Sequence, residues 1–341
     1  MTLNRREFAA MLVGAVGGLS IPLLLRSGRS LEEGMATGAP VPPRQDYFDW
    51  HGVGARVRVA MLGGGNSLLY MGSREALVSD GKNFGLGRTL AREASSFGAP
   101  VTRFVNTHHH GDHSGGNEAF ADAVRLAQVN AAPRILETAA ANLARADVSL
   151  ASLRSRIADS GAPTEMRDDL EAMAVEVGAL TPADFGPTET FEEVHEIDVD
   201  GHPVLVRWVS RGHTDGDAFL HLPEENLLHC GDLLFHDRHP YVDVSSGATP
   251  RGWLRCVDAM LALCDDETVV VPGHGPLTDR SGLQAQGDYF RQLEELVAGA
   301  LTDGRSKAEV ETLGTPELRG LSGAEQHLGR NLGIVYDEMA A

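Results

Sequence analysis

The sequence predicts an α/β protein whose reactive residues sit at strand ends. Three observations carry this. Strand-like and helix-like stretches alternate twice along the chain, in similar order in each half. A helix-spaced stretch rich in Ala, Leu and Arg, from Pro133 to Met173, separates the halves. Histidines and carboxylates fall where apolar runs of strand length give way to Gly-rich turns.

Each element follows from local pattern. Arg56 to Met61 alternates polar and apolar residues, the period of a half-buried strand. Gly63-Gly64-Gly65-Asn66 is a turn; it lacks the Lys-Ser/Thr tail and following helix of a phosphate loop, so it joins a hairpin. Ser67 to Met71 and Ala76 to Ser79 are the next strands. Gly87 to Phe97 predicts a helix, Thr102 to Asn106 a strand, Asn117 to Val124 a helix and Arg125 to Val129 a strand. A helical pair is expected within Pro133–Met173, inserted between the halves. Strands resume at Glu193 to Val199 and Val204 to Ser210, with Asp200-Gly201-His202-Pro203 as the turn. Ala218 to Leu222 and Asn226 to Cys230 form another pair. Trp253 to Leu263 is an amphipathic helix, Thr268 to Val271 a strand and Gln284 to Leu301 a helix. From Thr302 the chain is a polar tail with a short helix near Gly323 to His327.

The chain has 341 residues, of which 42% are apolar, enough for one large domain or two modest ones. Its net charge of -19 argues against a nucleic-acid partner, because phosphate binding needs a cationic face. It also argues against adsorption to an anionic membrane surface. Cys230, Cys256 and Cys264 show no C-x-x-C spacing, and an odd count cannot pair fully; buried free thiols are expected, with one disulfide open to an oxidising compartment. Cys230 reads as a packed small residue.

Asn4-Arg5-Arg6-Glu7-Phe8 resembles a twin-arginine export signal, and an apolar stretch from Phe8 to Leu25 follows. That stretch contains Gly14, Gly17, Gly18 and Pro22 and is only marginally long enough to span a bilayer. Export to the periplasm is expected, with an N-terminal membrane anchor if the segment stays uncleaved. Pro40, Pro42 and Pro43 read as an extended linker. The expected organisation is residues 1–39 as signal and linker, 45–301 as the folded domain and 302–341 as the tail.

The most informative run is Thr107-His108-His109-His110-Gly111-Asp112-His113, with four histidines and one carboxylate in six consecutive positions. Neutral imidazole and ionised carboxylate bind zinc and similar cations. Core packing does not call for such a cluster, since these groups cannot all be buried without partners. More candidates follow at long range: His213 in Gly212-His213-Thr214-Asp215-Gly216-Asp217, Asp232 in His229-Cys230-Gly231-Asp232, and His274 directly after Val269-Val270-Val271-Pro272-Gly273. Each motif is weak alone and strong in this order. Gly in these turns lets the backbone approach a metal closely.

In this order the motifs, with Asp80 ending Ala76-Leu77-Val78-Ser79, resemble the metallo-β-lactamase superfamily of metallohydrolases from about Val53 to Val297. The resemblance implies a four-layer αββα sandwich with the helical insertion between its halves. It also implies two divalent metals sharing a water or hydroxide, two Zn²⁺ per chain, with iron or manganese also suited to these ligands. His108, His110 and His213 would hold the first metal and Asp112, His113 and His274 the second, with Asp232 bridging. Asp112 would act catalytically by orienting the attacking hydroxide. Asp80 would orient a ligand histidine through its free N–H. His109 would point away, Asp215 and Asp217 would shape their turn, and His236, His239 and Tyr241 would line the pocket of a small-molecule substrate. In this superfamily such an insertion commonly covers the active site.

The function so implied is hydrolysis of an ester, thioester, lactone or amide. Asp232 is the residue found in glyoxalase-II-like and lactonase-like members, where true β-lactamases carry Cys or Ser, so lactam hydrolysis stands as the alternative. A mononuclear-iron sulfur dioxygenase is the alternative from another class, and the complete second-metal ligand set counts against it.

Overall fold

A computed structural model of the chain describes residues 46–341 apart from position 159. The signal and linker assigned to residues 1–39 lie outside the described residues. Strands β1 (Asp49–Val53), β2 (Val57–Met61), β3 (Ser67–Met71) and β4 (Ala76–Ser79) pair antiparallel in chain order. Next, β5 (Val101–Val105), β6 (Val124–Gln128) and β7 (Glu189–Phe191) add in parallel and complete a 7-stranded sheet. The second sheet holds β8 (Val194–Val199), β9 (His202–Arg207), β10 (Phe219–Leu222), β11 (Leu227–His229) and β12 (Val269–Val271). Its strands lie side by side in the order β12-β11-β10-β9-β8, antiparallel except for the β11–β12 pair.

Strand alternation stacks the two sheets. Val57 and Val59 of β2 and Leu68 and Tyr70 of β3 meet Val204 and Val206 of β9 and Leu220 of β10 in one buried cluster between the sheets. The neighbouring residues Ala60 and Leu69 point the other way, into a cluster shared with Leu90 and Ala94 of helix α1 (Gly87–Ser95). Leu228 of β11 and Val270 of β12 face Trp253 of α6 (Pro250–Leu261) and Phe290 of α7 (Arg280–Thr302). The layers therefore run helices, sheet, sheet, helices, the expected αββα sandwich. Between α1 and α6 lie α2 (Gly111–Ser114) and three inserted helices, α3 (Ala131–Leu143), α4 (Ala146–Ala158) and α5 (Thr164–Glu176).

Four expectations are corrected. The insertion has three helices where a pair was expected. Gly161, with φ +70, and Pro163 break the segment, and each piece buries its own apolar stripe: Leu150, Leu153 and Ile157 on α4, and Met166, Leu170 and Met173 on α5. The expected helix from Asn117 is a single 3₁₀ turn, Asn117–Phe120, because Val124 is drawn into β6 opposite Arg103. The polar tail is helical: α8 (Lys307–Val310), α9 (Pro316–Gly320) and α10 (Ala324–Ala340), a helix of 17 residues. Leu328, Leu332 and Val335, one helical face apart, join the core around α6 and α7, a stripe masked by polar neighbours. Strands β1 and β7 were not foreseen: they are the two edges of their sheet, mostly exposed and without clear alternation.

All three cysteines are free, and Cys230 is fully buried in the core with Cys256. Among the described residues no helix is long and apolar enough to cross a membrane.

Candidate metal centre

Parallel pairing brings the reactive turns to one edge of the sandwich. Ser79 is in register with Val105, so β4 and β5 deliver Asp80 and the Thr107–His110 turn side by side. His229 is in register with Val271, so β11 and β12 deliver Asp232 and His274. The short helix α2 carries Asp112 and His113, and the turn between β9 and β10 carries His213.

The seven ligand candidates converge in two groups about Asp232, whose side chain is 4% exposed. Its Oδ2 faces His213 Nε2 at 3.3 Å and His108 Nε2 at 3.8 Å. Its Oδ1 faces His113 Nε2 at 3.1 Å and His274 Nε2 at 3.5 Å. Asp112 Oδ2 approaches His274 Nε2 at 3.0 Å and His113 Nε2 at 3.7 Å. His110 Nδ1 lies 2.8 Å from His213 Nε2.

The outward nitrogens are already committed, which fixes what the inward ones can do. His113 Nδ1–H donates to Asp80 Oδ2 at 2.8 Å. The Thr107 hydroxyl donates to the same oxygen at 2.8 Å and accepts from His108 Nδ1–H at 3.1 Å. His110 Nε2–H donates to Asp243 Oδ2 at 3.0 Å, and His213 Nδ1–H to the Tyr241 carbonyl at 2.6 Å. Four imidazoles therefore present bare lone pairs to the interior. His108 Nε2, His113 Nε2 and Asp232 Oδ1 are buried with no hydrogen-bond partner. Lone pairs packed this closely around an anionic carboxylate suit cations among them, and the two groups are candidate metal sites.

Electrostatics divide the donor set into two groups. Burial, reinforced by neighbouring histidines, holds His108 well below its ordinary value and His213 down to about 3, so both are neutral ligands at neutral pH. Burial also pulls on His113 and His274, but Asp232 and Asp112 outweigh it, holding His113 well above its ordinary value and lifting His274 to about 9. Burial disfavours the Asp112 and Asp232 carboxylates, yet the facing histidines keep both ionised, below the usual carboxylate range. The half of the site around His274 thus favours positive charge, which a cation held by Asp112, His113 and His274 would supply.

Glycine allows the crowding. A Cβ on Gly65 would overlap the His113 ring, and one on Gly273 would overlap Asp232 Oδ1. The Gly63–Asn66 turn is more than a hairpin connection. Asn66 Nδ2 donates to the carbonyls of Pro272, at 2.9 Å, and Gly275, at 3.0 Å, on both sides of His274. Lys82 Nζ, fully buried, donates to the carbonyls of Ala60 and Gly65 at 2.6 Å each. Burial pulls its pKa down to about 7.

Three contributors escaped the sequence analysis: Thr107, Lys82 and Asp243. Lys82 had a signal, a lone cation two residues after Asp80. Asp243 had none, lying in an irregular segment with no ligand-like spacing. Asp243→Ala is expected to weaken metal binding at the His108–His110–His213 group by about 10- to 100-fold, read by chelator competition, since it frees the His110 ring to turn.

The C-terminal helices brace this segment. Asn331 Nδ2 of α10 donates to the Pro240 carbonyl at 2.9 Å, and the Arg330 guanidinium lies 4.6 Å from the Tyr241 ring centre. His239, expected in the substrate pocket, is instead buried and bonded to the Leu318 carbonyl at 2.7 Å and the Tyr289 hydroxyl at 2.9 Å. Packing of α7 and α9 around its ring turns it away from the ligands. His236 also leaves the pocket: it bonds the Pro276 carbonyl at 3.0 Å and borders a separate hollow of about 160 Å³. Tyr241 alone of the three stands at the rim, 6.2 Å between ring centres from both His110 and His213.

His109 points away, as expected, towards the Ser246 hydroxyl at 3.2 Å. Asp217 staples the His213 turn by accepting from the Gly212 and Thr214 amides and the Thr214 hydroxyl. Asp215 holds Arg134 of α3 through two bonds of 2.9 and 2.8 Å, tying the insertion to that turn. The insertion also walls the entrance: Asp112 and His274 open onto a cavity of about 710 Å³ lined on its far side by α4.

A family model described as the metallo-beta-lactamase superfamily matches residues 71–274, a span that includes every ligand candidate. The chain belongs to the metallo-β-lactamase superfamily. A type 2 metallo-beta-lactamase of Bacteroides fragilis is 28% identical over 89 residues, 26% of this chain and 36% of that protein, so the chain matches about a third of that relative's length. Among solved structures, a metallo-beta-lactamase from Pontibacter korlensis superposes with TM-score 0.51 at 18% identity, over 72% of this chain and 99% of that one. FIM-1 from Pseudomonas aeruginosa, solved in a mono-zinc form, gives 0.52 at 16% identity, over 73% and 97%. Identities this low speak for the fold alone. The superfamily is one of metal-dependent hydrolases, and the His/Asp groups of this chain are the candidate metal ligands.

Proposed function

We propose that this protein is an exported hydrolase that uses two divalent metals, zinc by preference, to cleave an ester, thioester, lactone or amide. The observation that carries the proposal is Asp232, whose two oxygens face two separate groups of imidazoles. His108, His110 and His213 would hold one cation, Asp112, His113 and His274 the other. When bound, the pair supplies Lewis acidity and lowers the pKa of water to about 7.

The chain's own groups do the rest. Asp112 is the catalytic residue: its side chain is 31% exposed, placed between the histidines and the cavity. Ionised, it accepts a hydrogen bond from the attacking water or hydroxide and orients it. Asp80, Asp243 and the Tyr241 carbonyl hold three imidazoles in the tautomer that leaves a lone pair inward. Tyr241, partly exposed beside His110 and His213, would line the substrate's approach.

The Asp at position 232 supports the glyoxalase-II-like or lactonase-like branch. Lactam hydrolysis is the second reading, favoured by the names of the relatives above. Export rests on the Arg5-Arg6 signal and localises the protein to the periplasm. The test is metal content per chain on protein purified without added metal, with a panel of thioesters, lactones and a chromogenic β-lactam. Near two zinc per chain with chelator-sensitive thioester or lactone turnover is expected. One iron with oxygen consumption would overturn the proposal in favour of a dioxygenase, and turnover of the β-lactam alone would reassign the branch.

A further inference from the structure

The wall of the cavity facing the metal centre is one polar stripe of the insertion. Arg145, Ser149, Ser152 and Arg156 recur at intervals of four, three and four residues on and just before α4, and all four line the cavity. The adjoining stripe, about 100° round the helix, holds Ala146, Leu150, Leu153 and Ile157 and is buried in the core. Helix α4 is therefore docked by its apolar side and presents this polar side to the cavity over Asp112 and His274.

Two features make the stripe unlike ordinary solvated surface. Among the described residues, neither the Arg145 nor the Arg156 guanidinium forms an ion pair or side-chain hydrogen bond, whereas Arg154, off the stripe, is held by Glu171 through bonds of 2.7 and 2.6 Å. The net charge of -19 supplies carboxylates in excess, yet among the described residues these two cations lining the cavity have no carboxylate partner. Secondly, Asn142, at the end of α3 and on the same wall, has a buried Nδ2 with no hydrogen-bond partner, beside Gly111.

We infer that the substrate is an elongated acid, an ester or thioester bearing a carboxylate or phosphate along its length, whose anionic group is held by one or other of Arg145 and Arg156 while the scissile carbonyl lies beside Asp112 and His274. This rests on the hydrolase assignment above. The guanidinium fork suits either anion, and each bond to an ionised partner is stronger than a neutral one. The two arginines start about 16 Å apart along the helix, at 1.5 Å per residue, which suits an extended molecule rather than one small ion. Val148, 74% exposed and also on the cavity wall, offers an apolar contact for the chain between.

The test compares p-nitrophenyl butyrate with its ω-carboxylate and ω-phosphonate analogues on zinc-loaded protein and on the Arg145→Gln/Arg156→Gln double variant. Both positions are exposed, so the variant keeps its fold. KM for at least one acidic ester is expected about tenfold or more below that for butyrate, and the difference disappears in the double variant while butyrate turnover holds. Whichever analogue gains identifies the anion. A preference that survives in the double variant, or no preference in the native protein, would overturn the inference. Calorimetry with 5-phenylvalerate, which has no bond to cleave, separates this from the hydrolase assignment. If no ester turns over but the double variant weakens phenylvalerate binding about tenfold, the anion site stands and the hydrolase assignment falls. Equal binding to both proteins sinks the anion site.

Discussion

Asp232→Asn is expected to empty both halves of the metal site and to lower hydrolysis by about three orders of magnitude. Asn keeps the shape of the side chain but loses the negative charge, and its amide nitrogen cannot ligate. Oδ2 now faces His108 and His213 and Oδ1 faces His113 and His274, so a single substitution strikes four neighbours. Whichever way the amide is turned, one group of histidines meets an N–H in place of a lone pair. The remaining cations, if bound, would also repel each other without the charge between them. Metal per chain after dialysis, measured with kcat/KM, checks this. Retention of two metals with undiminished turnover would rule out the bridging role.

Asp80→Ala is expected to cost about 3–5 kcal/mol of stability and to weaken metal binding at the His113 group. Asp80 is fully buried, and removing it strands the Thr107 amide and hydroxyl, at 2.9 and 2.8 Å, and His113 Nδ1–H. None of these can reach water. The backbone adds a second reason for this residue: φ is +68 at Asp80, a left-handed conformation that Asp tolerates better than Ala. Burial alone would raise the carboxyl, but His113 and then His229 outweigh it and hold it at about 2. A depressed carboxylate contributes stability that is present above its unfolded value near 3.8 and is lost as pH falls towards 2. The native protein therefore should lose stability over that acid range more steeply than Asp80→Asn. Denaturant unfolding between pH 2 and 5 reads the slope directly; equal slopes would remove Asp80 from the account.

The legible part of this site was its ligand chemistry. His108, His110, Asp112 and His113 are adjacent in sequence, and His213, Asp232 and His274 each sit in a Gly-rich turn after a strand-like run, so local composition announced them. Asp80 was legible for the same reason. The supports were not. Asp243 and the Tyr241 carbonyl act across more than a hundred residues, or nearly thirty, on rings they meet only after folding. His236 and His239 show the converse error: nearness in sequence to Asp232 suggested a pocket, while the packing of α7 and α9 drew His239 away. The edge strands β1 and β7 and the helix α10 were missed because their apolar residues are few and scattered among polar ones.

By itself, then, the sequence determined the α/β class, the order of the ligand motifs and the type of cation they suit, because these depend on residue chemistry and on periodicities of two and 3.6. Only the tertiary structure decided which imidazole nitrogen faces inward, since that is set by hydrogen bonds from distant segments. Only it showed that α10 clamps the segment carrying Tyr241 and Asp243. And only it showed that the insertion turns Arg145 and Arg156 towards the cavity beside Asp112 and His274, because the direction of an amphipathic helix is set by where its apolar stripe finds a core.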